Sequence, residues 1–248
     1  MVLRYVFWDQ LSNSLASLQN IADGDVVLLC ELKEDATRVA HHQKKLVFLW
    51  SAMRHFANQL STKGYQVVYV ELDDPQNTQT LDTEIKRHLK QYNLDKVIVT
   101  HPSEYHQLQS VNSWPNDFGV TVECLEDDRY LCSMQAFQVW ADDRQHLRME
   151  YFYREMRKQH EVLMSFGKPE GGKWNYDSEN RGSFGKNGPE SLQQPKRFKP
   201  DAVTNTVIEL VTKRFHKHPG SLEKFDWPVT KKDARAALRD FIAYRLTN

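Results

Sequence analysis

Residues 26–70 read VVLLCELKEDATRVAHHQKKLVFLWSAMRHFANQLSTKGYQVVYV, and the fold follows from how this stretch divides. Val26 to Cys30 is an unbroken apolar run, the pattern of a strand buried on both faces. Leu46, Leu49, Trp50, Met53, Ala57 and Leu60 then recur at three and four residues, which puts them on one stripe of a long helix. Gly64 closes that helix, and Gln66 to Val70 begins a further strand. Two strands separated by a helix-length segment imply a parallel pair with a right-handed crossover. The polar part in between, Glu31 to His42, lies beyond the carboxyl end of a strand and leads into a helix, where open α/β sheets hold their ligands. Periodicity alone favours the plainer reading, a core helix preceded by a solvated loop.

Outward from this unit the alternation continues. Val2 to Trp8 is an earlier β-rich run ending at Asp9-Gln10. After the break at Asp73-Asp74-Pro75 a helix is predicted from Thr80 to Tyr92, then a strand from Lys96 to Thr100 halted by His101-Pro102. A short helix near Glu104 to Val111 and a fifth strand from Val120 to Cys124 complete the series. The expected fold class is α/β, a doubly wound five-stranded parallel sheet. From Ser133 strand signals stop. Helices are predicted at Met134 to Trp140 with Ser133 as N-cap, and at Leu147 to Met164, which is dense in aromatic and basic residues. Gly167 to Pro200 is rich in Gly, Pro, Asn, Ser and Lys and lacks periodicity, so it reads as a linker. Helices at Asp201 to Phe215 and Thr230 to Leu246 follow, the second with Thr230 as its N-cap.

Lys plus Arg and Asp plus Glu both number 33, so no global field draws in nucleic acid or an acidic surface. The opening MVLRYVFWDQ is too short an apolar run for a secretory signal, and no later run is long enough for a membrane span. Three widely spaced cysteines argue for a reducing compartment, and the expectation is a cytoplasmic protein with no membrane partner. No phosphate-binding loop, nucleophile elbow, dinucleotide fingerprint, zinc-helix motif or C-x-x-C is present. His41 and His42 are adjacent and diverge by about 100° on a helix, which disfavours joint chelation, so no metal site is assigned. The pairs Asp73-Asp74, Asp127-Asp128 and Asp142-Asp143 fall at turns, where capping accounts for them. No catalytic residue emerges from spacing.

Leu147 to Arg157 (LRMEYFYREMR) and Gly171 to Arg181 (GGKWNYDSENR) resemble the deoxyribodipyrimidine photolyase-related family, the iron–sulfur bacterial branch of the photolyase and cryptochrome superfamily. Asp9-Gln10-Leu11-Ser12, His41-His42, Ser51 to Phe56 (SAMRHF) and Trp227 to Thr230 (WPVT) match in the same order. The resemblance spans the whole chain, whereas the chain spans about the first half of the family's usual length. It implies an α/β antenna-binding domain over 1–132, a helical extension over 133–164, an interdomain linker over 165–200, and over 201–248 the start of a helical FAD-binding domain that is cut short.

In that family the helical domain holds FAD and a [4Fe–4S] cluster and repairs 6-4 lesions in damaged DNA by light-driven electron transfer. The three cysteines here provide no four-thiolate set, so FAD and the cluster are expected in the missing C-terminal half, which is the expected intramolecular partner. The chain alone is then expected to be inactive. The resemblance further implies that 6,7-dimethyl-8-ribityllumazine binds at the ends of the first two strands and the start of the long helix. The implied cofactor-binding residues are Trp8, Asp9, Gln10, Asp35, Arg38, His41 and Leu49. Asp35 stands where the family commonly has Glu, Arg38 where it often has Tyr, and Trp8 where glycine is usual. Arg181, with Lys173 and Lys186, is the implied DNA-contacting set in the linker. Arg148, Arg154 and Arg157 have Glu150 and Glu155 within reach as partners. Two other functions fit the same residues: the corresponding portion of a blue-light signalling cryptochrome, and a stand-alone small-molecule-binding α/β module.

Overall fold

The structure, a computed structural model, describes residues 1–177, 182, 185, 186, 188 and 193–246. Five parallel strands form one sheet: β1 (Leu3–Tyr5), β2 (Val26–Cys30), β3 (Gln66–Val70), β4 (Lys96–Thr100) and β5 (Thr121–Leu125), in the order β3-β2-β1-β4-β5. The register sets Leu3 against both Val26 and Val97, and Tyr5 against Leu28 and Val99. The predicted doubly wound α/β sheet is therefore the observed one.

Both faces of the sheet are covered because successive side chains alternate across it. Val27 and Leu29 face one core layer, with α2 (Gln43–Thr62) and α7 (Ala202–Arg214) packed over them. Val26, Leu28 and Cys30 face the other, beneath α3 (Leu81–Tyr92) and α4 (Tyr105–Phe118). The stripe read from the sequence supplies the first layer: Leu46, Trp50, Met53, Ala57 and Leu60 are all buried, and Leu49 is half-buried against them. The helix ends at Gly64, whose φ of 89° is a left-handed conformation that costs glycine little.

Several elements differ in extent from their sequence reading: the strand expected over Val2 to Trp8 is confined to Leu3–Tyr5, and the helix expected over Leu147 to Met164 covers only Met149–Gln159, with Met164 in a short strand. The polar lead-in after β2 contains a one-turn helix, α1 (Lys33–Thr37), rather than only loop. α4 runs past Val111 to Phe118 and includes Pro115, because Trp114 is fully buried and donates its indole N–H to Asp82 Oδ1 at 2.7 Å.

The chain divides into two compact units, one formed by residues 1–127 together with 193–248, the other by residues 128–192. The first also contains α8 (Lys231–Tyr244), capped by Thr230, whose hydroxyl accepts from Asp233 N–H at 3.2 Å. The second contains α5 (Met134–Asp142), capped by Ser133, α6 (Met149–Gln159) and a two-stranded hairpin of β6 (Met164–Ser165) and β7 (Lys168–Pro169). No helix among the described residues is long and apolar enough to cross a membrane.

Candidate functional site

The strand order places β1 beside β4, and the chain leaves these two strands toward opposite sides of the sheet. That divergence opens a crevice at their carboxyl ends, the usual ligand position in such folds. Three segments meet there: Trp8 to Gln10 after β1, Asp35 to His41 after β2, and Glu104 to Gln107 at the start of α4.

Trp8 is buried, and its indole N–H donates to Glu104 Oε1 at 3.3 Å. The His41 ring meets it edge-on, with centroids 5.5 Å apart, and Lys45 Nζ lies 5.2 Å from the indole centroid. The same ammonium sits 3.2 Å from His41 Nδ1. Burial, then the nearby Lys45 charge, holds the His41 imidazole below its ordinary pKa, so the ring is neutral at pH 7. Asp35 is 8 % exposed, and its Oδ1 lies 3.7 Å from His106 Nε2, while His106 Nδ1 lies 3.4 Å from Glu104 Oε2. Burial pushes the Asp35 carboxyl up to about 6, helped by the Glu104 and Glu34 charges, while His106 and the Gln107 side chain pull it down.

Three buried side-chain atoms at this end of the sheet lack a hydrogen-bond partner: Gln10 Oε1, His106 Nε2 and Gln107 Oε1. Gln10 is fully buried, and its amide N–H donates to the carbonyls of Thr100 (3.3 Å) and His101 (3.0 Å), tying the end of β1 to the end of β4. Unpaired buried polar atoms are costly in a folded protein, so each calls for a further partner. The donor set suits a flat polar heterocycle: an apolar indole, neutral and acidic groups beside it, and open acceptors.

Of the residues singled out from the sequence, Trp8 and His41 touch each other, and Asp35 joins them through His106 and Glu104. Asp9 is exposed, and Arg38 is exposed and 3.5 Å from Glu34. Leu49 packs against the same core layer as Trp8. Lys45, Glu104, His106 and Gln107 escaped the sequence reading. The signal for the last three was their position directly after the KVIVT strand, together with the rule that ligands sit where the strand order reverses.

In the unit formed by residues 128–192, Lys173 and Lys186 are exposed, and Arg181 lies outside the described residues. Arg154 pairs with Glu150 along α6, and Arg157 is held by the carbonyls of Val162 and Leu163. The guanidinium carbons of Arg154 and Arg157 lie 5.6 and 5.3 Å from the Trp174 ring centroid, and Lys158 Nζ lies 5.7 Å from it. Arg157 therefore builds this unit and is not a free phosphate contact.

The family profile described as deoxyribodipyrimidine photo-lyase-related protein matches residues 4–227. A (6-4) photolyase of Agrobacterium fabrum is 39% identical over 246 residues, which cover 98% of this chain and 48% of that protein. An uncharacterized protein of Acanthamoeba polyphaga mimivirus is 23% identical over 141 residues, covering 55% of this chain and 69% of that protein. The chain thus spans about half the length of the Agrobacterium photolyase.

Proposed function

The chain belongs to the deoxyribodipyrimidine photo-lyase-related protein family, and on that premise we propose that it forms the antenna-chromophore-binding portion of a light-driven (6-4) DNA photolyase-related flavoprotein. The observation that carries the reading is the set of buried polar atoms without a hydrogen bond on Gln10, His106 and Gln107 at the crevice between β1 and β4. The ligand proposed for it is 6,7-dimethyl-8-ribityllumazine, whose ring and ribityl hydroxyls offer the donors and acceptors those atoms lack. When bound, this group supplies blue-light absorption and passes the excitation to FAD.

The chain's own part is to bind and orient. Trp8, fixed by its bond to Glu104, provides the rigid apolar wall. His41, neutral and anchored beside Lys45, holds its ring against the indole without bringing a charge. Asp35, with a pKa near 6, accepts hydrogen bonds at neutral pH and becomes a donor in mild acid. On this reading FAD, the [4Fe–4S] cluster and the lesion-binding surface belong to the helical half of such a protein, and this portion does not catalyse repair by itself. The chain's three cysteines support that assignment, since such a cluster takes four thiolates. Lys173 and Lys186, both exposed, are the described residues offered to the DNA backbone.

Titration with the lumazine, followed by its visible absorption and fluorescence, tests the antenna role. Saturable binding is expected, weakened by about 10-fold in His106→Ala, which removes one of the atoms without a hydrogen bond. Absence of binding, or equal binding by the variant, contradicts the site. Repair of lesion-bearing DNA by this chain, supplied only with FAD and light, contradicts the non-catalytic part.

A further inference from the structure

We infer that the protein carries a second ligand site, a cationic cavity that takes a small phosphorylated molecule with a flat or apolar body. The cavity is about 500 Å³, within the range of small-molecule pockets, and lies between α1, the segment after β3, and the end of α7. All of its walls belong to the unit formed by residues 1–127 and 193–248.

Its charge is one-sided. The single carboxylate in the wall, Asp73, is taken by Arg214, whose Nη2 and Nε lie 2.7 and 2.9 Å from Oδ1. Lys33 and Lys217, both exposed, also line the cavity, and neither ammonium has an ion-pair or hydrogen-bond partner among the described residues. Arg214 in the last turn of α7 is explained by the helix dipole and by Asp73. Lys33, at the start of α1, has no such partner among the described residues. Two unpaired cations facing one concavity repel each other and focus a positive potential into it, and an anion removes that cost. Ammonium groups of this kind are standard phosphate contacts.

The floor of the cavity is apolar. Phe215 and Leu72 are buried beneath it, which accommodates the uncharged body of a ligand whose anionic end meets the lysines. The rim at Gln79 is fixed in a left-handed conformation, φ 71°, rare for a residue with a side chain. It is held there by its N–H on Asn77 Oδ1 (2.7 Å) and its amide on the Leu72 carbonyl (2.9 Å). On the opposite side His218 packs its ring on Phe215 at 5.0 Å and places Nδ1 3.0 Å from the His41 carbonyl. The rim and one side are thereby fixed, and the two lysines extend from this frame. None of these observations depends on the antenna reading.

Calorimetric titration of the protein at fixed ionic strength with adenosine 5′-monophosphate, inorganic pyrophosphate and uncharged adenosine tests the proposal. The nucleotide is expected to bind more tightly than adenosine and more tightly than pyrophosphate, and pyrophosphate binding as tightly as the nucleotide overturns the role given to the apolar floor. In the double variant Lys33→Ala/Lys217→Ala, nucleotide affinity is expected to fall by about 10-fold or more, with an unchanged melting temperature in the absence of ligand. Lys213→Ala, on α7 next to Arg214 but outside the lining, is expected to leave affinity unchanged. The site is overturned if the nucleotide shows no saturable binding, if adenosine binds equally well, or if the double variant matches the unmodified protein. It is equally overturned if Lys213→Ala weakens binding as much as the cavity pair does, because the attraction is then a diffuse surface effect.

Discussion

At Asp35 a nearly buried carboxyl stands close to two others, Glu104 and Glu34, and no cation in its surroundings offsets them fully. Its pKa of about 6 lies above the ordinary carboxylate value of 3.8, so between these values the folded state binds more protons than the unfolded one. Stability therefore falls as pH rises through that window, and the loss is complete above it. Asp35→Asn is expected to stabilise the protein by about 1–2 kcal/mol at pH 7.5 and to have almost no effect near pH 4, read from urea unfolding midpoints at the two pH values. An equal gain at both would show that the charge is not the cause. Glu31 presents the opposite case. It is fully buried, yet its oxygens accept from Arg54 Nε (2.7 Å), Arg54 Nη2 (3.1 Å), the Tyr69 hydroxyl (2.7 Å) and Leu72 N–H (2.9 Å). Removing that charge leaves Arg54 half-enclosed without its main partner. Glu31→Gln is accordingly expected to destabilise by roughly 3 kcal/mol at pH 7, measured in the same unfolding assay. The pair separates a carboxylate that completes a structural network from one whose charge no such network absorbs.

Among the elements, β2, β3 and β4 were legible to the residue, because apolar runs bounded by charged or glycine-containing segments admit little else. The α2 stripe was equally legible, since one face is apolar at helical spacing over its whole length. α4 was legible only at its start. Beyond Val111 the local sequence, Asn112-Ser113-Trp114-Pro115-Asn116, favours a turn, and proline deletes a helical hydrogen bond. Tertiary packing decides otherwise: Trp114 is buried in the second core layer and its N–H reaches Asp82 on α3. Trp114→Phe keeps most of the packing and removes the donor, so it is expected to cost about 1–2 kcal/mol, whereas Trp114→Ala costs about 3–5 kcal/mol. Circular dichroism of the two variants against temperature checks the order. The same distinction governs the site. Trp8, Asp35 and His41 could be placed beyond β1 and β2 from sequence, but Glu104, His106 and Gln107 join them only because β4 pairs with β1. That pairing is long-range and leaves no periodic trace in the residues themselves.

At the scale of the whole molecule, the larger unit is discontinuous in sequence: residues 193–248 return to it after the intervening unit of residues 128–192. The return completes the core. Val207 and Val211 of α7 are fully buried in the layer that contains Trp50 and Met53, and the Phe215 ring lies 5.4 Å from Trp50. Gln43 at the start of α2 donates its amide to the carbonyls of His218 (2.9 Å) and Gly220 (3.1 Å), and its backbone N–H to Pro219 (2.9 Å). The sheet and its first four helices therefore do not close their own core. A chain ending at residue 127 would keep every strand of the sheet yet expose the apolar face of α2 that α7 covers. Exposure of a contiguous apolar patch of that kind leads to association or loose packing. Residues 1–127 expressed alone are thus expected to bind a hydrophobic dye and to melt without a sharp transition, while residues 1–248 unfold cooperatively. Adding a separate peptide of residues 193–246 should restore cooperativity, because the missing contacts are non-covalent and specific. A sharp, dye-free transition for residues 1–127 alone would show that α7 is an accessory to this core and not a part of it.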